Sequence, residues 1–216
     1  MINYGIIQHS IEHYEQVGFQ RVESPWTVTN PISDITRPKW AGEFTIKEKE
    51  KVLVASGEQS FLAMYNKGFL PKGKFQTVTP CFRDEKFDAL HTKYFIKNEL
   101  IITDDTSLFQ LRLMVNQARE FFRDYCLRLK KDDDFLIVAN TIDDVLIVKT
   151  TSGKDIVVDE VDVNDTYKWP TYDLVYRGIE LGSYGIRKCS FLTWIYGTGV
   201  AEPRLSQVIE MYGISH

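Results

Sequence analysis

The sequence has few cysteines and no long apolar run. Cys81, Cys126 and Cys189 are widely separated and odd in number, which excludes a complete disulfide framework and the paired cysteine spacing of zinc sites. No apolar run approaches the roughly 20 residues that span a bilayer. Residues 1–16 also lack the basic start and apolar centre of a secretory signal. We therefore expect a cytoplasmic protein without membrane contact.

Basic residues are slightly fewer than acidic ones, 26 against 30. The formal net charge is −4 over 216 residues, which argues against sequence-independent binding to nucleic acid, since such binding needs a basic surface. We expect no DNA partner. No Ser/Gly/Pro-rich linker, repeat or low-complexity tract divides the chain. A single domain over residues 1–216 is therefore predicted.

Hydrophobic periodicity places helices at the start and in the middle of the chain. Spacings of three and four predict helices over residues 4–17 and 107–130. Four strand candidates follow between residues 134 and 181, and "GTGVAEPRLSQVIEMYG" is interpreted as a glycine turn and a closing helix. This order predicts an α+β fold with a largely antiparallel sheet, and not a doubly wound parallel one.

The segment "TPCFRDEKFDALHTKYFIKNE" predicts a hairpin that carries reactive side chains. Arg83 precedes its turn, and Phe95 and Glu99 share one face of the return strand because they are four residues apart. An arginine fork matches phosphate or carboxylate, and an aromatic ring stacks on a nucleobase. The alternative places Phe95 in the core and makes Arg83 and Glu85 a surface ion pair. The hairpin alone does not decide between them.

This hairpin resembles motif 2 of the class II aminoacyl-tRNA synthetases: Phe-Arg-x-Glu, a loop, then His or Arg, Phe and an acid. Three more segments resemble the family's motif 1, its Thr-x-Glu loop and its motif 3, in the family's order: "HYEQVGFQRVESPW", "VASGEQSFL" and "GTGVAEPRLSQVIE". The Thr-x-Glu loop is typical of the seryl, threonyl and prolyl subgroup, and Ser56 stands in the threonine's place. The resemblance spans residues 4–212. It implies a six- or seven-stranded antiparallel sheet flanked by helices, which binds bent ATP with Mg²⁺.

The resemblance also implies roles for residues on the nucleotide side. Arg83 would grip the α-phosphate and the substrate carboxylate. Phe95 would stack on adenine, with Arg204 on the other face of the base and near the γ-phosphate. Further nucleotide-side residues are Glu85 at the adenine amino group, His91 near the terminal phosphates, and Gly197 and Gly199, which would keep the strand bare for the nucleotide.

Other residues would act on the substrate side. Glu180 and Glu99 would hold magnesium or the substrate amino group, and Glu58 would hold that amino group too. Ser183, with Tyr184 and Arg187, is a candidate for substrate contact. The alternative for these three residues is turn structure with an outward arginine.

The function implied is ATP-dependent activation of an amino acid, or a similar carboxylic acid, as an acyl adenylate with release of pyrophosphate. The implied assembly is a homodimer through the motif 1 helix and strand. Because no anticodon-binding segment follows motif 3, we expect transfer to ammonia, a protein lysine or a carrier protein, with tRNA less favoured.

Two alternatives stay open: a non-catalytic paralogue that binds amino acid or nucleotide and regulates a partner, and a tRNA synthetase core. Retention of Arg83 and Arg204 favours catalysis. One departure concerns motif 3, where Pro203 separates Glu202 from Arg204 although the family's acid usually precedes the arginine directly.

Overall fold

The computed structural model describes residues 1–37, 42–46, 50–84, 92–126, 135–140, 145–150, 155–156 and 171–212. The α-helices in these ranges are α1 (Tyr4–Gln16), α2 (Asn30–Thr36), α3 (Gly57–Asn66), α4 (Leu108–Glu120) and α5 (Arg204–Met211), and a π-helical segment, Phe121–Cys126, extends α4. The strands are β1 (Gln20–Arg21), β2 (Thr27–Thr29), β3 (Thr45–Ile46), β4 (Lys51–Leu53), β5 (Lys74–Phe82), β6 (Tyr94–Ile102), β7 (Phe135–Asn140), β8 (Val145–Thr150), β9 (Asp155–Ile156), β10 (Thr171–Tyr176), β11 (Ile179–Lys188) and β12 (Thr193–Glu202). None of the described helices is both long enough and apolar enough to cross a membrane.

One large sheet organises the described chain, in the strand order β1-β5-β6-β12-β11-β10-β7-β8-β9. Its six central strands, from β5 to β7 in that order, are antiparallel, and β1 joins one edge in parallel with β5. Strands β8 and β9 continue the other edge. A small second sheet has the order β2-β4-β3. The predicted α+β fold with a mostly antiparallel sheet is confirmed.

Helices cover the two faces of the large sheet unequally. The buried faces of α1, α4 and α5 pack on one side, in a core that includes Tyr14, Leu100 and Met114. On the opposite side, α2, α3 and the small sheet form a second core around Phe61 and Trp194. This second core covers one part of its face, and the rest borders the cavities described below.

The chain between residues 171 and 202 differs from the sequence prediction. Residues 172–181 were expected to form one strand, but the structure has two, β10 and β11, joined by a tight turn. Arg177 (φ 48°) and Gly178 (φ 83°) make that turn with left-handed backbone conformations, as two-residue hairpins require. Residues 197–199 were expected to be a turn, and this was wrong because they lie inside β12.

Gly197 and Gly199 face helices and not an open surface. A Cβ atom on Gly197 would lie 2.4 Å from Met114 Sδ and 2.8 Å from Tyr184 Cδ1, and one on Gly199 would lie 2.9 Å from Tyr14 Cε2. The expectation that these glycines keep the strand bare for a nucleotide is therefore corrected. Their missing side chains let α1 and α4 approach β12 closely.

Replacing Gly197 with alanine should destabilise the protein by about 1–3 kcal/mol, because the new methyl group overpacks the contact with Met114. Chemical denaturation measures this loss. In a Met114→Ala background the same glycine-to-alanine change should cost less, since the clashing sulfur is gone. An equal cost in both backgrounds would contradict the packing explanation.

Candidate active site

Arg83 and Arg204 meet at one cavity, which we call the hollow. Arg83 directly follows β5, and Arg204 is the first residue of α5. Both line the hollow, whose empty space is about 570 Å³ when the solvent at its open mouth is counted. The rest of its principal lining is Phe95, Lys97, Glu180 and Thr198. Two arginines that are distant in sequence thus reach the same space.

Phe95 and Arg83 contact each other at the wall of the hollow. The Arg83 guanidinium carbon lies 5.1 Å from the centre of the Phe95 ring, a cation–π distance. Arg83 Nε also donates a hydrogen bond to the Ala55 carbonyl at 3.1 Å. Phe95 is half-buried and belongs to neither hydrophobic core. The alternative that assigned Phe95 to the core is therefore wrong.

Arg204 contacts Glu180 at the wall of the hollow. Arg204 Nη1 donates to the Glu180 carbonyl at 3.3 Å and lies 3.9 Å from Glu180 Oε1. The Glu180 side chain is 49% exposed. Ion pairs this open contribute little to stability, so both side chains can reorient around a ligand at small cost.

A second cavity, which we call the recess, adjoins the hollow. The two cavities share Arg83, Lys97, Glu180 and Thr198 as lining residues. The recess is also lined by four residues that were predicted on the substrate side and lie outside the hollow, namely Glu58, Glu99, Ser183 and Arg187. The described members of the predicted site, except the two glycines and Tyr184, therefore line these two adjoining cavities.

Glu58 is held firmly at the start of α3. Ser56 caps this helix, and its Oγ accepts a hydrogen bond from the Glu58 backbone N–H at 3.2 Å. Glu58 Oε2 accepts from Arg187 Nη1 at 2.5 Å, and Oε1 accepts from Trp194 Nε1 at 2.6 Å. Burial raises the pKa of Glu58, although the Arg187 charge opposes this. Arg187 lies on β11 and points inward, so the alternative of a turn with an outward arginine is wrong.

The charge of the Glu99 carboxylate is also compensated inside the protein. It is 1% exposed, and its carboxylate accepts from Lys97 Nζ at 2.8 Å and from Ser56 Oγ at 2.7 Å. Lys97 was not predicted as a site residue. The signal was present, since Phe95, Lys97 and Glu99 alternate on β6 and alternate residues of a strand share a face.

Ser183 and Tyr184, adjacent on β11, point to opposite faces of the sheet. Ser183 lines the recess, and its backbone N–H donates to Thr198 Oγ1 at 3.3 Å. Tyr184 is fully buried in the helix-covered core, where its hydroxyl donates to the Thr198 carbonyl at 2.7 Å. The suggestion that Tyr184 contacts substrate is therefore wrong.

The remaining predicted residues concern the nucleotide and the metal. Glu85 and His91 lie outside the described residues. Within the described part of the chain, no group of three or more His, Cys, Asp or Glu side chains is arranged to hold a metal ion. Magnesium is commonly bound by one or two carboxylates together with substrate phosphates. The half-exposed Glu180 carboxylate suits that pattern.

Glu202, the acid of the motif 3 segment, joins two parts of the fold. Its fully buried carboxylate accepts hydrogen bonds from Asn3 N at 2.9 Å, Ser206 N at 3.0 Å and Ser206 Oγ at 2.6 Å. It thereby satisfies a backbone donor in the first turn of α5. The helix turn that carries Arg204 is thus tied to the segment that precedes α1.

The Glu202 carboxyl should make stability depend on pH. Burial raises its pKa above the ordinary 4.5, against the hydrogen bonds that lower it. The folded state therefore binds this proton more tightly than the unfolded state, so stability falls as pH rises from about 4.5 through the raised pKa. Relative to Glu202→Gln, the wild-type protein should lose free energy of unfolding over that range in denaturant titrations. A difference that stays constant with pH would contradict this assignment.

Comparison with solved structures identifies the same fold in two kinds of synthetase. Seryl-tRNA synthetase from Pyrococcus horikoshii, complexed with ATP, matches with a TM-score of 0.65 and 14% identity over 94% of this chain and 49% of that one. Cytoplasmic serine-tRNA ligase from Naegleria fowleri, in complex with AMP, matches with a TM-score of 0.61 and 16% identity over 96% and 53%. Pyrrolysyl-tRNA synthetase from Desulfitobacterium hafniense matches with a TM-score of 0.64 and 15% identity over 99% and 70%.

These matches confirm the synthetase-like fold expected from the four motifs. The chain spans about half the length of the two seryl enzymes that it matches. No protein-family model and no curated protein sequence matches it.

Proposed function

We propose that the protein activates an amino acid, or a similar carboxylic acid, with ATP. The convergence of Arg83, Phe95 and Arg204 on one hollow carries this proposal, because ATP offers a phosphate chain and a flat base to two arginine forks and an aromatic ring. Two solved structures of the same fold, the seryl enzymes complexed with ATP and with AMP, add support.

In the proposed reaction, a substrate carboxylate oxygen attacks the α-phosphorus of ATP. The new P–O bond forms as the bond to the bridging oxygen breaks, and pyrophosphate leaves with that electron pair. The products are an acyl adenylate and pyrophosphate. Arg83 would bind both the carboxylate and the α-phosphate, which aligns the reacting atoms and neutralises developing charge.

The other residues of the hollow would position the nucleotide. Phe95 would stack on adenine once the Arg83 guanidinium has moved from the ring to the phosphate. Arg204 would bind the γ-phosphate and leave its exposed contact with Glu180. Glu180 would then hold Mg²⁺ together with phosphate oxygens. When bound, this ion would neutralise part of the charge of the triphosphate.

The recess would hold the acid. Glu58 and Glu99 each keep further carboxylate lone pairs, which a substrate amino group can approach from the recess. Lys97 and Arg187 hold these two carboxylates in fixed positions. A substrate ammonium group would therefore meet preorganised acceptors.

We propose a non-tRNA acceptor for the acyl group: ammonia, a protein lysine or a carrier-protein thiol. The proposed location is the cytoplasm. Attack by an amine or a thiol on the acyl carbon would release AMP. Transfer of labelled acid to bulk tRNA by the isolated chain would contradict this choice of acceptor.

We further propose a homodimer through α1 and β1. Strand β1 lies at an edge of the described sheet, and Trp26, which follows it, is 59% exposed. The backbone of an edge strand can pair with another chain, and Trp26 would then lie beside the interface. Sedimentation of wild-type protein and of Trp26→Ser at micromolar concentration would test this, with a wild-type monomer contradicting it.

Exchange of labelled pyrophosphate into ATP, measured with each amino acid in turn, tests the proposed activity. Exchange that depends on one acid supports adenylate formation. Tight ATP binding without exchange for any acid would instead favour the non-catalytic regulator.

A further inference from the structure

Polar and charged residues predominate in the described lining of the recess. Among the described residues that line it, there is no Val, Leu, Ile, Met, Phe or Trp. The lining consists mainly of charged, hydroxyl and amide side chains, with Tyr196 as its one described aromatic residue. Ligand pockets are usually lined mostly by hydrophobic side chains, so the composition of this cavity is informative about its ligand.

The charges of this lining balance. Its described acidic residues are Glu58, Glu99, Asp173 and Glu180, and its described basic residues are Arg37, Arg83, Lys97 and Arg187. The two most deeply buried carboxylates, Glu58 and Glu99, are already paired with Arg187 and Lys97. A charged ligand side chain of either sign would therefore find these four groups already paired with each other.

One end of the recess carries a fixed hydrogen-bonding network. The Arg187 guanidinium lies 4.0 Å from the centre of the Tyr196 ring and is anchored by Glu58. Ser183 and Tyr196 line the recess together with Arg187. The Arg187 side chain is still 39% exposed, so it can donate to a group in the recess.

An apolar ligand side chain would cover these groups without replacing the hydrogen bonds they make to water. Buried polar groups that lose their partners make a site reject a ligand far more strongly than a shape mismatch does. Resting on the proposed activation of an acid, we propose that this acid carries an uncharged, hydrogen-bonding side chain such as a hydroxyl or a carboxamide.

Binding of stable adenylate mimics tests this inference without turnover. The probes are aminoacyl-sulfamoyl adenosines that carry threonine, valine, asparagine, leucine or aspartate, measured by calorimetry with the whole chain. The side chains of threonine and valine have the same shape, and those of asparagine and leucine have nearly the same shape. We expect Kd to favour threonine over valine, or asparagine over leucine, by about 10²- to 10⁴-fold. Equal binding within both pairs, an apolar preference, or tightest binding of aspartate would overturn the inference.

Two variants test which residues of the recess discriminate between the polar and the apolar member of each pair. Ser183→Ala and Arg187→Lys should each reduce the preference for the polar member of a pair by roughly tenfold or more. Ser190→Ala, an exposed serine near the β11–β12 turn, should leave the preference unchanged. Ser183→Ala leaves no buried charge unpaired, so it remains informative if Arg187→Lys folds poorly. If both variants discriminate as strongly as the wild-type protein, Ser183 and Arg187 are not the source of the discrimination.

Pyrophosphate exchange separates this inference from the proposed activity. Polar preference in binding without exchange for any acid would overturn adenylate formation and leave the inference standing. Exchange supported only by valine or leucine would overturn the inference alone. Failure of every mimic to bind, together with no exchange, would overturn both.

Discussion

Pyrophosphate exchange by Arg83→Ala should be slower than wild type by about 10²- to 10⁴-fold in kcat/KM. Arg83 is expected to make two charged hydrogen bonds to the reacting groups, and each contributes about 1.5–3 kcal/mol. Because tenfold in rate corresponds to about 1.4 kcal/mol, their joint loss gives the stated range. The effect should fall mainly on kcat, since the charge on the α-phosphate group develops in the transition state.

Arg83→Lys and Arg112→Ala are the matched variants for this measurement. Lysine keeps the positive charge but loses the planar fork, so Arg83→Lys should recover only part of the rate. Arg112 is exposed on α4, which packs on the opposite face of the sheet, and its removal should leave exchange unchanged. Full activity in Arg83→Ala would contradict the proposed role.

The fold was predictable because its signals are local and repeated. Buried side chains such as Tyr14 and Met114 recur at helical spacing, and the hairpin from β5 to β6 alternates as two strands do. Arg83 and Arg204 could be paired only through the four motifs, because nothing in their immediate sequence shows that the end of β5 and the start of α5 meet at one hollow. The roles implied for Glu85 and His91 stay predictions.

The remaining features depend on contacts between distant strands. The pairing of Lys97 with Glu99 was not predicted, although strand alternation could have indicated it, and the pairing of Arg187 with Glu58 joins α3 to β11 and has no local signal. The role of Gly197 also has no local signal, because the surrounding sequence does not distinguish a glycine within a strand from a glycine in a turn. Only the positions of Met114 and Tyr184 show that the residue serves helix packing.

The Arg187–Glu58 pair should have the largest effect on stability among the site residues. Arg187→Met removes the cation and leaves the Glu58 carboxylate, which is 5% exposed, without its charged partner. Breaking a buried pair from one side costs about 3–5 kcal/mol. Because the Arg187 side chain is itself 39% exposed, water can reach the vacated space, and we expect a loss of about 3 kcal/mol, at the lower end of that range. Urea denaturation at pH 7 measures it.

The double variant Arg187→Met/Glu58→Gln distinguishes an uncompensated charge from lost packing. Glutamine keeps an oxygen that can accept from Trp194 Nε1, which now donates to Glu58 at 2.6 Å. The double variant should therefore be more stable than Arg187→Met alone by about 1–2 kcal/mol, because no buried carboxylate remains unpaired. Arg112→Met is the control, since Arg112 is exposed on α4 and its replacement should change stability by about 0.5 kcal/mol at most. If the double variant is less stable than Arg187→Met, the loss lies in packing against Tyr196, and the carboxylate of Glu58 tolerates burial without its arginine.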